Sequence, residues 1–295
     1  MHQNTWIFIG IWRITSDVIN IRFDFIGKKI IKKLTGPFNR FLKGSLSRYL
    51  CIACEVLARP LYHLAAISPN IIDIQLVKRG LHDEPTKMRA KLQKKIDLME
   101  NLDYEAVLLG FGLCGGGSVG LQARDIPLVI PRVHDCVSLL LGESKRYEVE
   151  SNKNPGTYWY SQDFAERSAE EGKFTSLGTI ADEALAKQFD TFIQQYGRDN
   201  AEYLIETLGS WHKKYKRAAF IDMGVVEPDG FKDKMHSEAE RHGWRFDLLA
   251  GDLLILRDLL NGAWLKKDHQ NFIIIPPNHS IETTYDKQIF KCTPG

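Results

Sequence analysis

Ala106-Val-Leu-Leu-Gly-Phe-Gly-Leu-Cys-Gly-Gly-Gly-Ser118, followed by Pro127-Leu-Val-Ile-Pro-Arg-Val-His-Asp-Cys136, is the stretch that decides the fold. Two brief apolar runs, Ala106–Leu109 and Pro127–Ile130, each open into a loop carrying glycine, cysteine, histidine or arginine. Runs of that length suit strands buried on both faces, as in a parallel sheet covered by helices. Toward the N-terminus, Tyr49–Cys54 and Ile71–Val77 repeat the pattern, each followed by a helical stretch. The second of these helices is expected to be capped by Asp83, with Pro85 in its first turn and Met88, Leu92, Ile96 and Met99 on one face. Toward the C-terminus, residues 143–214 turn aromatic and charged. Helix signals stand out there at Leu185, Phe189, Phe192 and Tyr196, then at Tyr203, Leu204, Leu208 and Trp211. Strand and helix signals alternate again in Ala218–Ile221, a helix after Gly230, Phe246–Leu249, a helix over Leu253–Leu260 and Phe272–Ile275. The pattern predicts an α/β protein with a doubly wound, mostly parallel, Rossmann-like sheet and a helical insertion. Its expected parts are a basic extension (1–48), a first α/β half (49–142), the insertion (143–214) and a second α/β half (215–295).

The 295 residues are 44% hydrophobic and 26% charged, which excludes a disordered, collagen-like or disulfide-scaffold chain. The net charge of +2 conceals an asymmetry. Residues 1–48 hold nine basic residues against Asp17 and Asp24, so this head is +7 and the remainder −5. No apolar run approaches the roughly 20 residues of a membrane span. The head reads either as an extension or as a surface that touches anionic lipid, the one membrane contact expected of the chain. It lacks the charge order and cleavage site of a secretory signal. With no export signal and an odd number of cysteines (Cys51, Cys54, Cys114, Cys136 and Cys292), a reducing cytoplasm and free or metal-bound thiols are expected. No basic-aromatic face for nucleic acid is present.

Ligands of open parallel sheets bind outside the carboxyl ends of the strands. Those ends carry Cys54-Glu55, Gly80-Leu81-His82-Asp83, the 110–118 loop with Cys114, the 131–136 loop with His134, Asp135 and Cys136, then Asp222, and finally Pro276-Pro277. Three of the five cysteines therefore share one expected rim. Thiolates from separate loops suit a zinc ion or an iron–sulfur cluster with a position left open for substrate. Cys54, Cys114 and Cys136 are the candidate metal ligands, and His134 with Asp135 the candidate catalytic pair. Cys51 lies three residues before Cys54 and so points to the other strand face, which makes it a core residue.

Gly110-x-Gly112-x-x-Gly115 follows a strand as a dinucleotide fingerprint does. The glycine-rich crossover after it is too short for the helix that fold requires. The loop is better read as bare backbone, Gly112, Gly115, Gly116, Gly117 and Ser118, approaching a bound anion, with Arg132 as a carboxylate or phosphate partner. Pro155-Gly-Thr-Tyr-Trp-Tyr160 is a turn with an aromatic cluster, suited to packing the insertion or closing a pocket.

Leu109–Leu121 and Pro131–Gly142 contain the Gly-Leu-Cys and His-Asp-Cys motifs. With 155–160, Ala53-Cys54-Glu55-Val56 upstream and Gly209-Ser-Trp211 downstream, they resemble the prokaryotic family called domain of unknown function 1638. The resemblance spans roughly 49–290 and leaves 1–48 without a counterpart. It implies no established activity. Its members, found in anaerobic bacteria and archaea, often accompany corrinoid methyl-transfer systems, which implies one-carbon or metal-cofactor metabolism. The resemblance also marks Cys54, Cys114 and Cys136 as the family's characteristic cysteines.

Three functions follow as expectations. The first is a cytoplasmic metalloprotein, an enzyme acting on a small anionic substrate through the three cysteines. The second is a non-catalytic binding or accessory protein for a corrinoid, a nucleotide or a methyltransferase partner. The third is metal-free thiol chemistry, with Cys114 or Cys136 as nucleophile and His134 as base.

Overall fold

The computed structural model describes residues 46–98, 103–170, 193–194, 197–202, 215–226, 230–266, 269–284 and 286–295. The basic head up to residue 45, the helix-signal residues Leu185, Phe189, Phe192, Tyr196, Tyr203, Leu204, Leu208 and Trp211, and Met99 lie outside the described residues.

The apolar runs are strands: β1 (Arg48–Cys54), β2 (Ile71–Val77), β3 (Ala106–Gly110) and β4 (Leu128–Pro131). They pair in parallel in the order β2-β1-β3-β4. Leu50, Ile52, Leu108, Leu109 and Ile130 are fully buried, each such side chain contributing about 1.5–3 kcal/mol on leaving water. β2 departs from the expectation of burial on both faces. It is the edge strand and is only half-buried.

Helices cover the sheet. A 3-10 turn at Glu55–Leu57 leads into α1 (Ala58–Ile67), which buries Leu61 and Leu64. In α2 (Pro85–Asp97), Pro85 opens the first turn and Met88, Leu92 and Ile96 face the core, leaving the lysines outside. Glu84, not Asp83, precedes this helix, and no side chain caps it. Asp83 belongs to a separate 3-10 turn, Leu81–Asp83, begun by Gly80 at φ +81°.

α3 (Cys136–Leu140) and α4 (Ser144–Lys153) follow β4. The aromatic run after them, expected as a turn, is a strand, β5 (Thr157–Ser161), which enters α5 (Gln162–Glu170). β5 pairs in parallel with β6 (Arg217–Asp222), and β6 with β7 (Arg245–Ala250), making a second parallel sheet separate from the first. The alternating pattern was sound, but it belongs to two sheets rather than one. Aromatic β5 was hidden because its inward side chains are aromatic, Tyr158 and Tyr160 packing with tilted rings and Tyr158 stacking on Trp244, so the run lacks the aliphatic signature of the other strands.

α6 (Phe231–Arg241) and α7 (Leu254–Leu260) complete the expected helices. β8 (Phe272–Ile275) joins the first sheet beside β4, but antiparallel. Its carboxyl end, Pro276-Pro277, therefore lies at the opposite edge from the other strand ends and leaves the rim proposed from sequence. A hairpin of β9 (His279–Thr283) and β10 (Phe290–Pro294) closes the chain.

The carboxyl ends of the two sheets are tied together. Asp163, at the start of α5, accepts a hydrogen bond from the Arg59 backbone N–H at 3.1 Å. Asp252 N–H, just after β7, donates to the Leu140 carbonyl at the end of α3. No helix among the described residues is long and apolar enough to cross a membrane.

Candidate functional site

Three cysteines stand at or just after the carboxyl ends of three adjacent parallel strands. Cys54 ends β1, Cys114 follows β3 by four residues, and Cys136 opens α3 after β4. Because β1, β3 and β4 run in one direction, all three lie at the same sheet edge. The Cys114 N–H bonds the carbonyl of His134, two residues before Cys136, which draws the Cys114 and Cys136 loops together. Cys54 and Cys114 are buried, and Cys136 is partly exposed.

Neighbouring groups and burial set the proton distribution. Cys136 is pushed well above the ordinary thiol range by its two thiol neighbours and by burial. Cys54 is lowered, chiefly by the bond from Cys136, against its own burial, with the nearby Arg79 charge helping. Of the two, Cys54 therefore gives up its proton more readily than Cys136. Cys51 is fully buried on β1 and pushed up to about 12 by burial alone, as its opposite strand face requires. Cys292 is exposed on β10.

Backbone places Cys114 at a cost. Its φ is +46°, a left-handed conformation that disfavours a residue with a Cβ by about 1–2 kcal/mol. Three hydrogen bonds hold it there: Cys114 N–H to the His134 carbonyl at 2.8 Å, Leu113 N–H to the Val133 carbonyl at 3.0 Å, and Gly117 N–H to the Cys114 carbonyl at 3.1 Å. Glycine would fit this position without strain. Asn278 and Ile289 are the other non-glycine residues with positive φ among the described residues.

The glycine loop has structural work at most of its positions. A Cβ on Gly112 would lie 2.6 Å from the Val133 carbonyl oxygen, so the bare backbone lets the Cys114 and Cys136 loops touch. Gly117 gives room to Met88, and Gly115 at φ +64° passes over the His82 carbonyl. Ser118 is fully buried and donates to the Gly112 carbonyl at 2.6 Å. The N–H groups of Gly116, Gly117 and Val119 bond the carbonyls of Leu113, Cys114 and Gly116. α2 clamps the far side through Arg89 to the Gly116 carbonyl and through Gln93 to both backbone groups of Gln122. The loop is thus built to hold Cys114, and its own turns engage much of the backbone expected to face an anion.

Other expected site residues lie elsewhere or act indirectly. Arg132 donates to the carbonyls of Phe272, Gln288 and Phe290, pinning the C-terminal hairpin to the end of β4. Asp135 is the N-cap of α3, accepting from Ser138 N–H at 3.0 Å and from its hydroxyl at 3.1 Å. It orients Cys136. His134 is exposed, and its carbonyl receives the Cys114 N–H. Asp222 is exposed and accepts the Gly224 N–H.

A charged cluster beside Cys54 joins the two sheets and was not foreseen. Glu55 accepts the Arg79 N–H at 3.0 Å and lies 3.6 Å from Arg167 of α5. Arg79 also lies over the Phe164 ring. Asp163 is 3% exposed, and burial raises its carboxyl to about 6. Extending the strand-end inventory one residue before Gly80 would have found Arg79. Asp163 and Arg167 were invisible because β5 was not recognised as a strand.

Among the described residues, no group of three or more His, Cys, Asp or Glu side chains is already arranged to hold a metal ion. A family model described as a protein of unknown function (DUF1638) matches residues 76–260. That span includes Cys114, His134, Cys136 and Asp163, while Cys54 lies before it. No curated protein matches the chain.

Proposed function

The chain belongs to the DUF1638 family, whose description names no activity, and from the site alone we propose a metalloenzyme whose Cys54, Cys114 and Cys136 hold a zinc ion or an iron–sulfur cluster. The observation that carries this reading is the placement of all three cysteines at the carboxyl ends of the adjacent parallel strands β1, β3 and β4, with the Cys114 N–H bonded to the His134 carbonyl of the Cys136 loop. Such a centre, with a fourth position open, supplies Lewis-acid or electron-transfer chemistry to a bound substrate.

The protein's own groups prepare that chemistry. Arg79 favours the thiolate at Cys54. The Gly112 contact and the backbone bonds of Leu113 and Cys114 to Val133 and His134 fix the spacing of two donor loops, and the Asp135 cap fixes the start of α3 at Cys136. We read the substrate as a small anion drawn by Arg79 and Arg167, with exposed His134 exchanging protons from the solvent side. The two parallel sheets are read as Rossmann-like halves, and a reducing compartment such as the cytoplasm keeps the thiols available.

Anaerobic purification with metal analysis and an absorption spectrum tests the reading. Iron or zinc is expected in the wild type and lost in Cys114→Ala. Metal-free protein with undiminished ligand binding would contradict it.

A second reading is supported by the lowered Cys54 thiol: metal-free thiol chemistry with Cys54 as nucleophile, in place of the Cys114 or Cys136 expected from sequence. Selective alkylation of Cys54 near neutral pH, in protein shown to lack metal, would support it. Equal labelling of all thiols would not.

A further inference from the structure

We propose that Arg167 and Asp163 of α5 form a subsite for a carboxylate ligand, which takes N–H bonds from the Arg167 guanidinium and a proton bond from the Asp163 acid. The inference deepens the small-anion reading given above and rests on it only in calling the ligand a substrate. Arg167 has donors to spare. Its Nε–H is buried and has no hydrogen-bond partner. The two carboxylates beside it stand beyond hydrogen-bonding reach, Glu55 Oε2 at 3.6 Å from Nη1 and Asp163 Oδ1 at 3.9 Å from Nε. Each is anchored instead to a backbone N–H of another segment, Glu55 to Arg79 at 3.0 Å and Asp163 to Arg59 at 3.1 Å. The Arg59 guanidinium is already committed, bonding Glu166 at 2.8 Å through both Nε and Nη2. The Arg167 side chain is 25% exposed, so a small ligand reaches it from solvent. The subsite adjoins the cysteine rim, since Glu55 directly follows Cys54.

A buried donor without an acceptor is destabilising, and a planar carboxylate matches the guanidinium fork with two parallel N–H···O bonds. The incoming carboxylate also meets Asp163, and two ionised carboxylates side by side repel. Asp163 answers this by being an acid. It is 3% exposed, and burial raises it to about 6. The charged groups facing it are Arg59 of α1 and Glu166 and Arg167 of its own helix, with Glu55 beyond Arg167. Protonated, Asp163 keeps the Arg59 N–H on one oxygen and donates from the other to the ligand. Above pH 6 the site therefore takes up one proton with each carboxylate it binds.

Formate is the probe, a carboxylate that stays ionised between about pH 5.5 and 7.5. The full chain is titrated with sodium formate, as isolated and again after metal removal, with sodium chloride at equal ionic strength as the control. Nuclear magnetic resonance follows the Arg167 Nε–H and the backbone amides of Arg59 and Arg79, which bond Asp163 and Glu55. Saturable shifts at all three are expected with formate and not with chloride, whether or not metal is present. The midpoint should rise about tenfold for each pH unit above 6. Arg167→Lys keeps the charge but not the fork, and should abolish saturation at the two amides. Asp163→Asn donates through its amide in place of the acid proton, and should bind formate with a midpoint independent of pH. The wild-type titration decides the matter where a variant fails to fold. No saturation, equal shifts with chloride, or a wild-type midpoint independent of pH overturns the proposal, as does an unaltered titration in Arg167→Lys. Saturation only in metal-bound protein overturns it too, because the ligand then sits on the metal. Protein isolated without metal that still saturates with formate keeps the subsite, and the metal reading alone fails.

Discussion

Cys114 concentrates the argument at the scale of a single residue. Its side chain is wanted where its backbone is not, at φ +46° within a loop otherwise given to glycine. Cys114→Gly should therefore be more stable than Cys114→Ala by about 1 kcal/mol, read from denaturant midpoints, while both lose the thiol. Equal stability of the two would remove strain as a sign of function at this position. Gly112 makes the reverse case. Gly112→Ala would bring a Cβ against the Val133 carbonyl and the Asp135 amide, and a loss of about 1–3 kcal/mol is expected from overpacking. These roles were only half legible in the sequence. The run Gly-Leu-Cys-Gly-Gly-Gly declared a special backbone, but not that its glycines serve the loop rather than a ligand.

At the scale of elements, β1, β3 and β4 were readable because strands buried on both faces leave short aliphatic runs. β5 was not, since its burial is achieved by packed aromatics. The antiparallel direction of β8 was equally hidden, because a four-residue apolar run carries no mark of which way it pairs. α3 is only five residues long and depends on its cap. Asp135→Ala should cost about 1 kcal/mol and, in circular dichroism and thermal melts, act more as a structural than a catalytic loss. A metal content unchanged in this variant would show that Cys136 does not need the cap for its placement.

At the scale of the whole molecule, the two sheets meet through Asp163, Arg59, Arg167 and Glu55 at their carboxyl ends. Burial raises the Asp163 carboxyl to about 6, above its ordinary 3.8. The folded state therefore holds this proton more tightly than the unfolded chain. The resulting stabilisation is fully present below about pH 4 and is lost as pH rises through 6. Urea unfolding between pH 4 and 7 should show wild type weakening relative to Asp163→Asn, whose amide oxygen still accepts the Arg59 N–H. A difference independent of pH would mean that Asp163 is ionised throughout. The rim itself was legible from strand ends alone, because parallel topology forces Cys54, Cys114 and Cys136 to one edge. The contribution of the second sheet was not, since it comes from contacts distant in sequence. The central claim is that one metal takes its donors from all three thiols, and X-ray absorption at the metal edge of anaerobically isolated protein measures it most directly. For zinc, three sulfur neighbours at about 2.3 Å are expected, falling to two in Cys114→Gly; a shell of nitrogen and oxygen alone would contradict it.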